Sequence, residues 1–255
     1  MIASIPFFNH FSKSTKAYKL PSHFTLSQDA PHPLCILAAE ELQDHLQNQQ
    51  EWQHNFGLAD GKGMVIGKMF GVLVVQNKKH EIGYLTAFSG KLAGSNSHIK
   101  FVPPIFDLLS EGSFLNKGME ELTAMTNEIK FLKDLSPEAS KEAIHKLKAQ
   151  RKQHSIALQN EIFSHYHFLN QAGEEKSLLA IFTEAGYKNP PAGAGECAAP
   201  KLLQYAFQNE LKPLALAEFW WGLSPKSATW KHKYFYLPCK EKCEPILAHM
   251  LNKAD

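Results

Sequence analysis

Long apolar runs are missing from this 255-residue chain: no segment approaches the length of a membrane-spanning helix, and the N-terminal "MIASIPFFNHFSKSTKAYKLP" has no uninterrupted apolar core of the kind a signal peptide needs. A cytoplasmic protein with no membrane partner is the expectation. An excess of one charge is missing too. Lys and Arg total 27 against 25 Asp and Glu, a formal +2, so any nucleic-acid surface must be a local patch, not a global field. Cysteine is scarce: four residues in a chain this long do not make a disulfide scaffold. The glycines at 71, 83 and 90 are scattered, and no Walker or dinucleotide pattern occurs.

What is present reads as an ordinary globular chain, 44% hydrophobic and 20% charged. The first thirty residues look irregular, punctuated by Pro6 and Pro21. "HPLCILAAEELQDHLQNQQ" keeps a helical apolar stripe, with Cys35 expected as a small buried hydrophobe. Met69–Val75 and Ile82–Phe88 flank the polar "QNKKHE" and predict a β-hairpin. Further on, "LKPLALAEFWWG" alternates two apolar faces, the pattern of a covered strand. Glu218 is the anomaly there, because a carboxylate on such a strand needs a partner or a role.

Between these blocks the period changes. Met119, Leu122, Met125, Ile129 and Leu132 form one helical face, "LSPEA" offers a break with Ser136 as cap and Pro137 in the first turn, and a second helical face follows through Ile144, Leu147, Leu158, Ile162 and Leu169. Residues 117–171 are therefore expected to form an inserted coiled-coil hairpin, with 1–116 and 172–255 together making one α/β-type domain. The expected class is α+β or α/β: a small mixed sheet with flanking helices. Within the arm, "KLKAQRKQH" holds no carboxylate, so Lys146, Lys148, Arg151 and Lys152 are candidates for phosphate contact, against the alternative of a solvated helix face.

Three cysteines remain. Cys197 opens a helix-like stretch after the turn-rich "NPPAGAG", and Cys239 and Cys243 stand four residues apart in "YLPCKEKCEPIL". If both were helical, their Cβ atoms would lie about 5–6 Å apart, too wide for a relaxed disulfide but suited to two thiolates on one zinc. A helix N-terminus favours the thiolate form. Cys197, Cys239 and Cys243 are thus candidate metal ligands, with a fourth position open to water or closed by His232 or Glu196. Three unrelated reduced cysteines are the alternative.

The order of elements — hairpin, helix opening on a cysteine, strand, helix opening on Pro-Cys…Cys — resembles the zinc-dependent nucleobase deaminase fold. In that family a proton-carrying glutamate follows the first ligand by two positions, and the second pair reads Pro-Cys-x-x-Cys. Here position 199 is Ala, Glu196 precedes the cysteine, and the pair contains one extra residue. The resemblance implies zinc, with Glu196 or Glu218 standing in as the catalytic carboxylate.

Across a wider span, "PHPLCILAAEELQDHL", "IGKMFGVLVV", "GYLTAFSGKLAGSN", "FVPPIFD", "GECAAPKLLQYAF", "LALAEFWWG" and "CKEKCEPILAHML" together resemble the N-terminal region of certain bacterial RluA-type RNA pseudouridine synthases. That family's catalytic His-Arg-Leu-Asp motif does not occur, and the six aspartates sit in other contexts. The resemblance implies an accessory domain for RNA modification, a piece of a longer protein or a stand-alone relative. It would position structured RNA, rRNA or tRNA, for a pseudouridine synthase catalytic domain in the same chain or another. RNA positioning is the leading expectation, a zinc-dependent deaminase-like enzyme the alternative, and a coiled-coil interaction module a further one.

Overall fold

The computed structural model describes residues 5–26, 30–109, 113–135, 138, 140–226 and 229–252. In chain order the elements are β1 (Asn9–His10), β2 (Thr25–Leu26), α1 (Pro33–Asn48), β3 (Lys68–Gln76), β4 (Ile82–Phe88), α2 (Phe114–Leu135), α3 (Lys141–Ser164), β5 (His167–Leu169), β6 (Glu175–Ser177), α4 (Leu178–Glu184), α5 (Ala198–Gln208), β7 (Lys212–Trp221), β8 (Phe235–Tyr236) and α6 (Lys240–Met250). The class is α+β with a mixed sheet. No helix among the described residues is long and apolar enough to cross a membrane.

The sheet grows from the β3–β4 hairpin. Its connector closes on itself: Asn77 Oδ1 accepts the N–H groups of Lys79 and Glu81, and His80 takes a φ of 61°. On the other side of β3 lies β7, antiparallel, and the strand order is β1-β4-β3-β7-β2. β2 runs parallel to β7 at Ala215–Leu216, and β8 pairs antiparallel with it at Glu218–Phe219. The first thirty residues, irregular by sequence, supply both β1 and β2.

Alternation along the strands decides what each face buries. Phe70, Val72, Val74, Ala215, Ala217, Phe219 and Trp221 join α1, through Leu34, Cys35, Ala38 and Leu42, in one apolar cluster. Cys35 is fully buried in it, and burial raises its thiol to about 12. The opposite face receives α5, which packs on β3, β4 and β7. Ala198, Ala199, Leu202, Leu203 and Ala206 of α5 are wholly buried, and each leucine contributes about 1.5–3 kcal/mol by leaving water. Gly71 makes this fit possible, because a Cβ there would stand 2.9 Å from Ala198 Cβ and 3.0 Å from Leu202 Cδ1.

Contacts divide the chain into two units, one of residues 1–105 and 167–255, the other of residues 106–166. In the second, α2 and α3 run antiparallel: Glu121 meets His154 (3.2 Å), and Arg151 Nε donates to Thr126 Oγ1 (2.9 Å). Gly118, Leu122, Ile129, Ile144, Leu158 and Phe163 are the buried positions of the pair. Two seam assignments from periodicity need correction. Met119 is 51% exposed, since Gly118 takes the inward place against Leu158. Leu169 belongs to β5, because α3 stops at Ser164. The expected helix start at Ser136 and Pro137 lies outside the described residues, and Ser140 stands at the N-cap of α3.

Candidate metal centre

Two helix starts and one strand converge on the first unit's cysteines. Cys197 is the N-cap of α5 and Cys239 the N-cap of α6, both in extended backbone, and Cys243 lies one turn into α6. Their sulfurs all lie within 4.8 Å of one another, close enough to hold a metal ion. Cys239 and Cys243 have sulfurs 3.5 Å apart. Both Cys197 and Cys239 stand at helix starts, as the sequence suggests; Cys239 is the N-cap just outside α6, so the condition that both Cys239 and Cys243 be helical is met by Cys243 alone. Cys243 is buried, Cys197 half-buried and Cys239 exposed, so the cluster is open on one side.

The Cys197 sulfur makes no capping hydrogen bond. In α5 that work is done by the sheet. Ser89 Oγ, just past β4, accepts the Ala198 N–H at 3.2 Å, and Glu218 Oε1 of β7 accepts the Ala199 N–H at 2.9 Å. Two orphan donors of the first turn are thereby satisfied from outside, which leaves the Cys197 sulfur to face Cys239 and Cys243. A backbone bond from Gly90 N–H to the Glu196 carbonyl, 2.9 Å, ties the approach to α5 to the end of β4.

The thiols share their protons unequally. Hydrogen bonds from Cys197 and Cys243 hold Cys239 well below the ordinary thiol range, and the Lys242 and Cys243 backbone N–H groups add to this. Cys197 is pushed up, chiefly by its hydrogen bond to Cys239. Cys243 is pushed up by Cys197, then by Cys239 and burial. One thiolate flanked by two thiols is the metal-free state this geometry favours. A dication is what allows all three to ionise together.

Glu218 and Lys201 complete the electrostatics. Glu218 is 3% exposed, and burial raises its carboxyl to about 8, against the pull of the Ala199 N–H. Lys201, four residues after Cys197, is 3% exposed, and burial lowers its ammonium to about 8, offset by Glu196 and Cys197. Its Nζ donates to the Phe88 carbonyl (3.0 Å) and sits 5.1 Å from the Phe88 ring centroid. Glu196 itself interacts with Lys68 and Lys201 and is not a member of the cluster. His232 is committed elsewhere: Nδ1 accepts the Gly222 N–H at 3.0 Å, and the ring lies 4.5 Å from Trp221. Among the described residues the cluster therefore has three members.

Sequence reasoning named the three thiols and Glu218 but missed Lys201, Ser89 and Gly71. A lysine one turn after Cys197 and a glycine inside an apolar strand were the available signals. A groove of about 630 Å³ lies at the opposite end of β7, lined by His23, Asn170, Gln171, Lys212 and Pro213 among others. Its lining gathers no thiol. The arm candidates Lys146, Lys148, Arg151 and Lys152 are all exposed on α3, in the other unit. No protein-family model, no curated protein and no solved structure matches this chain.

Proposed function

We propose that Cys197, Cys239 and Cys243 bind one zinc and that the site is a deaminase-like hydrolytic centre acting on a nucleobase, with Glu218 as its proton-carrying carboxylate. The observation that carries this is the 2.9 Å bond between Glu218 Oε1 and the Ala199 N–H. In the deaminase pattern the glutamate belongs at position 199. Here an alanine stands there, and β7 brings a carboxylate to the backbone of that residue. The order hairpin β3–β4, α5 opening on Cys197, β7, then α6 opening on Pro238-Cys239 further supports the reading.

Ligand sulfurs at about 2.3 Å from a tetrahedral zinc lie about 3.8 Å apart, a separation the cluster accommodates. Three thiolates favour a soft or borderline cation over magnesium or calcium. Zinc held by three ligands supplies a Lewis acid for activating water at neutral pH. The chain's own contribution is to hold Glu218: one oxygen is fixed by Ala199, and the other is left to take and return a proton. Lys201 offsets the single negative charge that three thiolates leave on a dication.

The test is zinc content by elemental analysis of untagged protein, together with ammonia release from cytidine and adenosine compounds. About one zinc per chain, lost in Cys197→Ser and Cys239→Ser, is expected. Glu218→Gln should keep the zinc and lose turnover. Zinc retained with no ammonia from either base class would leave a structural metal centre and refute the enzymatic reading.

A second reading, an RNA-positioning accessory region of a pseudouridine synthase with a coiled-coil arm, draws on α3. That helix exposes Lys146, Lys148, Arg151 and Lys152 with no carboxylate between Glu142 and Glu161. Salt-sensitive RNA binding, weakened by charge reversal at Lys148, Arg151 and Lys152, is its expected outcome. Binding unchanged by those substitutions removes the arm as the RNA surface.

A further inference from the structure

The 22 residues between Glu218 and Glu241 hold no carboxylate, and beyond the buried Trp220 and Trp221 the cations Lys226, Lys231, Lys233 and Lys240 fall among or beside Trp230, Tyr234, Phe235 and Tyr236. Cations interleaved with aromatics are the composition of a surface that grips a phosphate backbone and stacks its bases. The fold sets this stretch beside the cysteines. β8 pairs Tyr236 with Glu218, and Cys239 follows three residues later.

The stretch is held rigidly. Tyr234 N–H donates to the Lys231 carbonyl (3.1 Å), closing a tight turn, and Lys233 N–H donates to the Trp220 carbonyl (2.7 Å). Lys231 N–H reaches Tyr236 Oη at 2.8 Å, and His232 is pinned by Gly222. Trp230 stacks on Trp220 at 5.4 Å and meets Tyr236 edge-on at 4.5 Å. What the turn presents is Lys231, Lys233 and Tyr234, the tyrosine 58% exposed, followed by Leu237 at 47%. Lys233 has a φ of 66°, a conformation glycine adopts freely and lysine does not.

We infer that the turn of residues 230–237 is a docking surface for single-stranded nucleic acid, which it guides towards the cysteine centre. The inference rests on the nucleobase reading of that centre and specifies its substrate as a base within a polynucleotide. Lys231 and Lys233 take the phosphates. Tyr234, 58% exposed and with Lys231 Nζ 5.1 Å from its ring centroid, stacks a base. Single strands are selected because a duplex keeps its bases stacked on one another.

The experiment is fluorescence anisotropy with a labelled single-stranded oligonucleotide of mixed sequence, against the matching duplex and against a polyglutamate competitor. Tyr234→Ala is expected to weaken single-strand binding about 5- to 150-fold, the range of one base–aromatic stack. Lys231→Glu with Lys233→Glu should weaken it further and flatten its salt dependence. All three side chains are exposed, and an unchanged circular dichroism spectrum and melting temperature verify that the variants fold. Equal affinity for duplex, equal competition by polyglutamate with no effect of Tyr234→Ala, or loss of binding only in Lys148→Glu/Arg151→Glu would each overturn the inference. So would no binding at all. Binding lost through Tyr234 in a protein that holds no zinc would instead retain the surface and reject the metal reading, so the two failures are separable.

Discussion

Gly71→Ala tests the seat of α5 most directly. The new Cβ would stand 2.9 Å from Ala198 Cβ and 3.0 Å from Leu202 Cδ1, where apolar carbons rest at about 3.5–4.0 Å. Ala198 is the first residue of α5, so relief means moving the helix start by about 0.5–1 Å. Overpacking of this kind costs about 1–3 kcal/mol, and the lower chain entropy of alanine returns about 0.5–1 kcal/mol. A net loss of about 1.5 kcal/mol corresponds to a drop of about 3–6 °C in a domain of 150–250 residues, readable by calorimetry on chelated protein. The same movement displaces Cys197, and zinc tolerates only about 0.2 Å in its ligand distances. Zinc affinity, measured by competition with a chromophoric chelator, should therefore fall about 10- to 100-fold. Gly71→Ala protein as stable as its parent, with unchanged zinc affinity, would refute both the packing argument and the coupling of β3 to the metal centre.

Three further outcomes are expected. In chelated protein Glu218 holds its proton up to about 8, against about 4.3 in an unfolded chain. The folded state then binds the extra proton between those values, so stability falls as pH rises through that window; Glu218→Gln should flatten the fall in urea titrations at pH 5 and pH 8. Lys201→Met removes a buried ammonium and keeps the side chain's bulk, so the fold should be as stable or more so at neutral pH. Zinc should bind it several-fold more weakly, because the charge beside three thiolates is gone, and no change in affinity would show that Lys201 only packs. Leu158→Ala, at a position 7% exposed against Gly118, should cost the α2–α3 pair about 2–4 kcal/mol. Faster hydrogen exchange confined to 114–164, with zinc binding intact, is the expected signature of two separate units.

How far the sequence carried depends on whether a signal was local. The β3–β4 hairpin, the Cys197 helix start and the two-faced strand β7 are written in periods of two and 3.6 over seven residues or more, and the structure places elements there. β1, β2 and β8 are two residues each, too short for any period, and exist only because β4 and β7 offer them edges. The spacing of Cys239 and Cys243 was legible, but its geometry depended on which residue begins α6. Cys239 stands just outside α6 as its N-cap, and its sulfur lies 3.5 Å from that of Cys243. His232 shows the same limit from the other side. Its residue type suits a metal, yet its position in the turn after β7 spends it on Gly222.

Glu218 is the case in which sequence and structure inform each other most. Alternation alone marks a buried carboxylate as an anomaly, because nothing in an apolar strand can solvate it. Only the fold reveals its partner, since Ala199 lies 19 residues upstream on α5 and comes within reach through the close approach that Gly71 allows. A glycine in β3, an alanine in α5 and a glutamate in β7 are each unremarkable by residue type. Set in register, they bring a carboxylate to the helix start whose N-cap sulfur faces the other two cysteines. The same logic applies to Lys231 and Lys233, whose charge is as visible in the sequence as that of the arm. What distinguishes them is that β8 fixes them to the strand of Glu218 and three residues later delivers Cys239. Charge reversal at the arm and at the turn, compared in one binding series, therefore decides which of two equally basic stretches the fold has given a purpose.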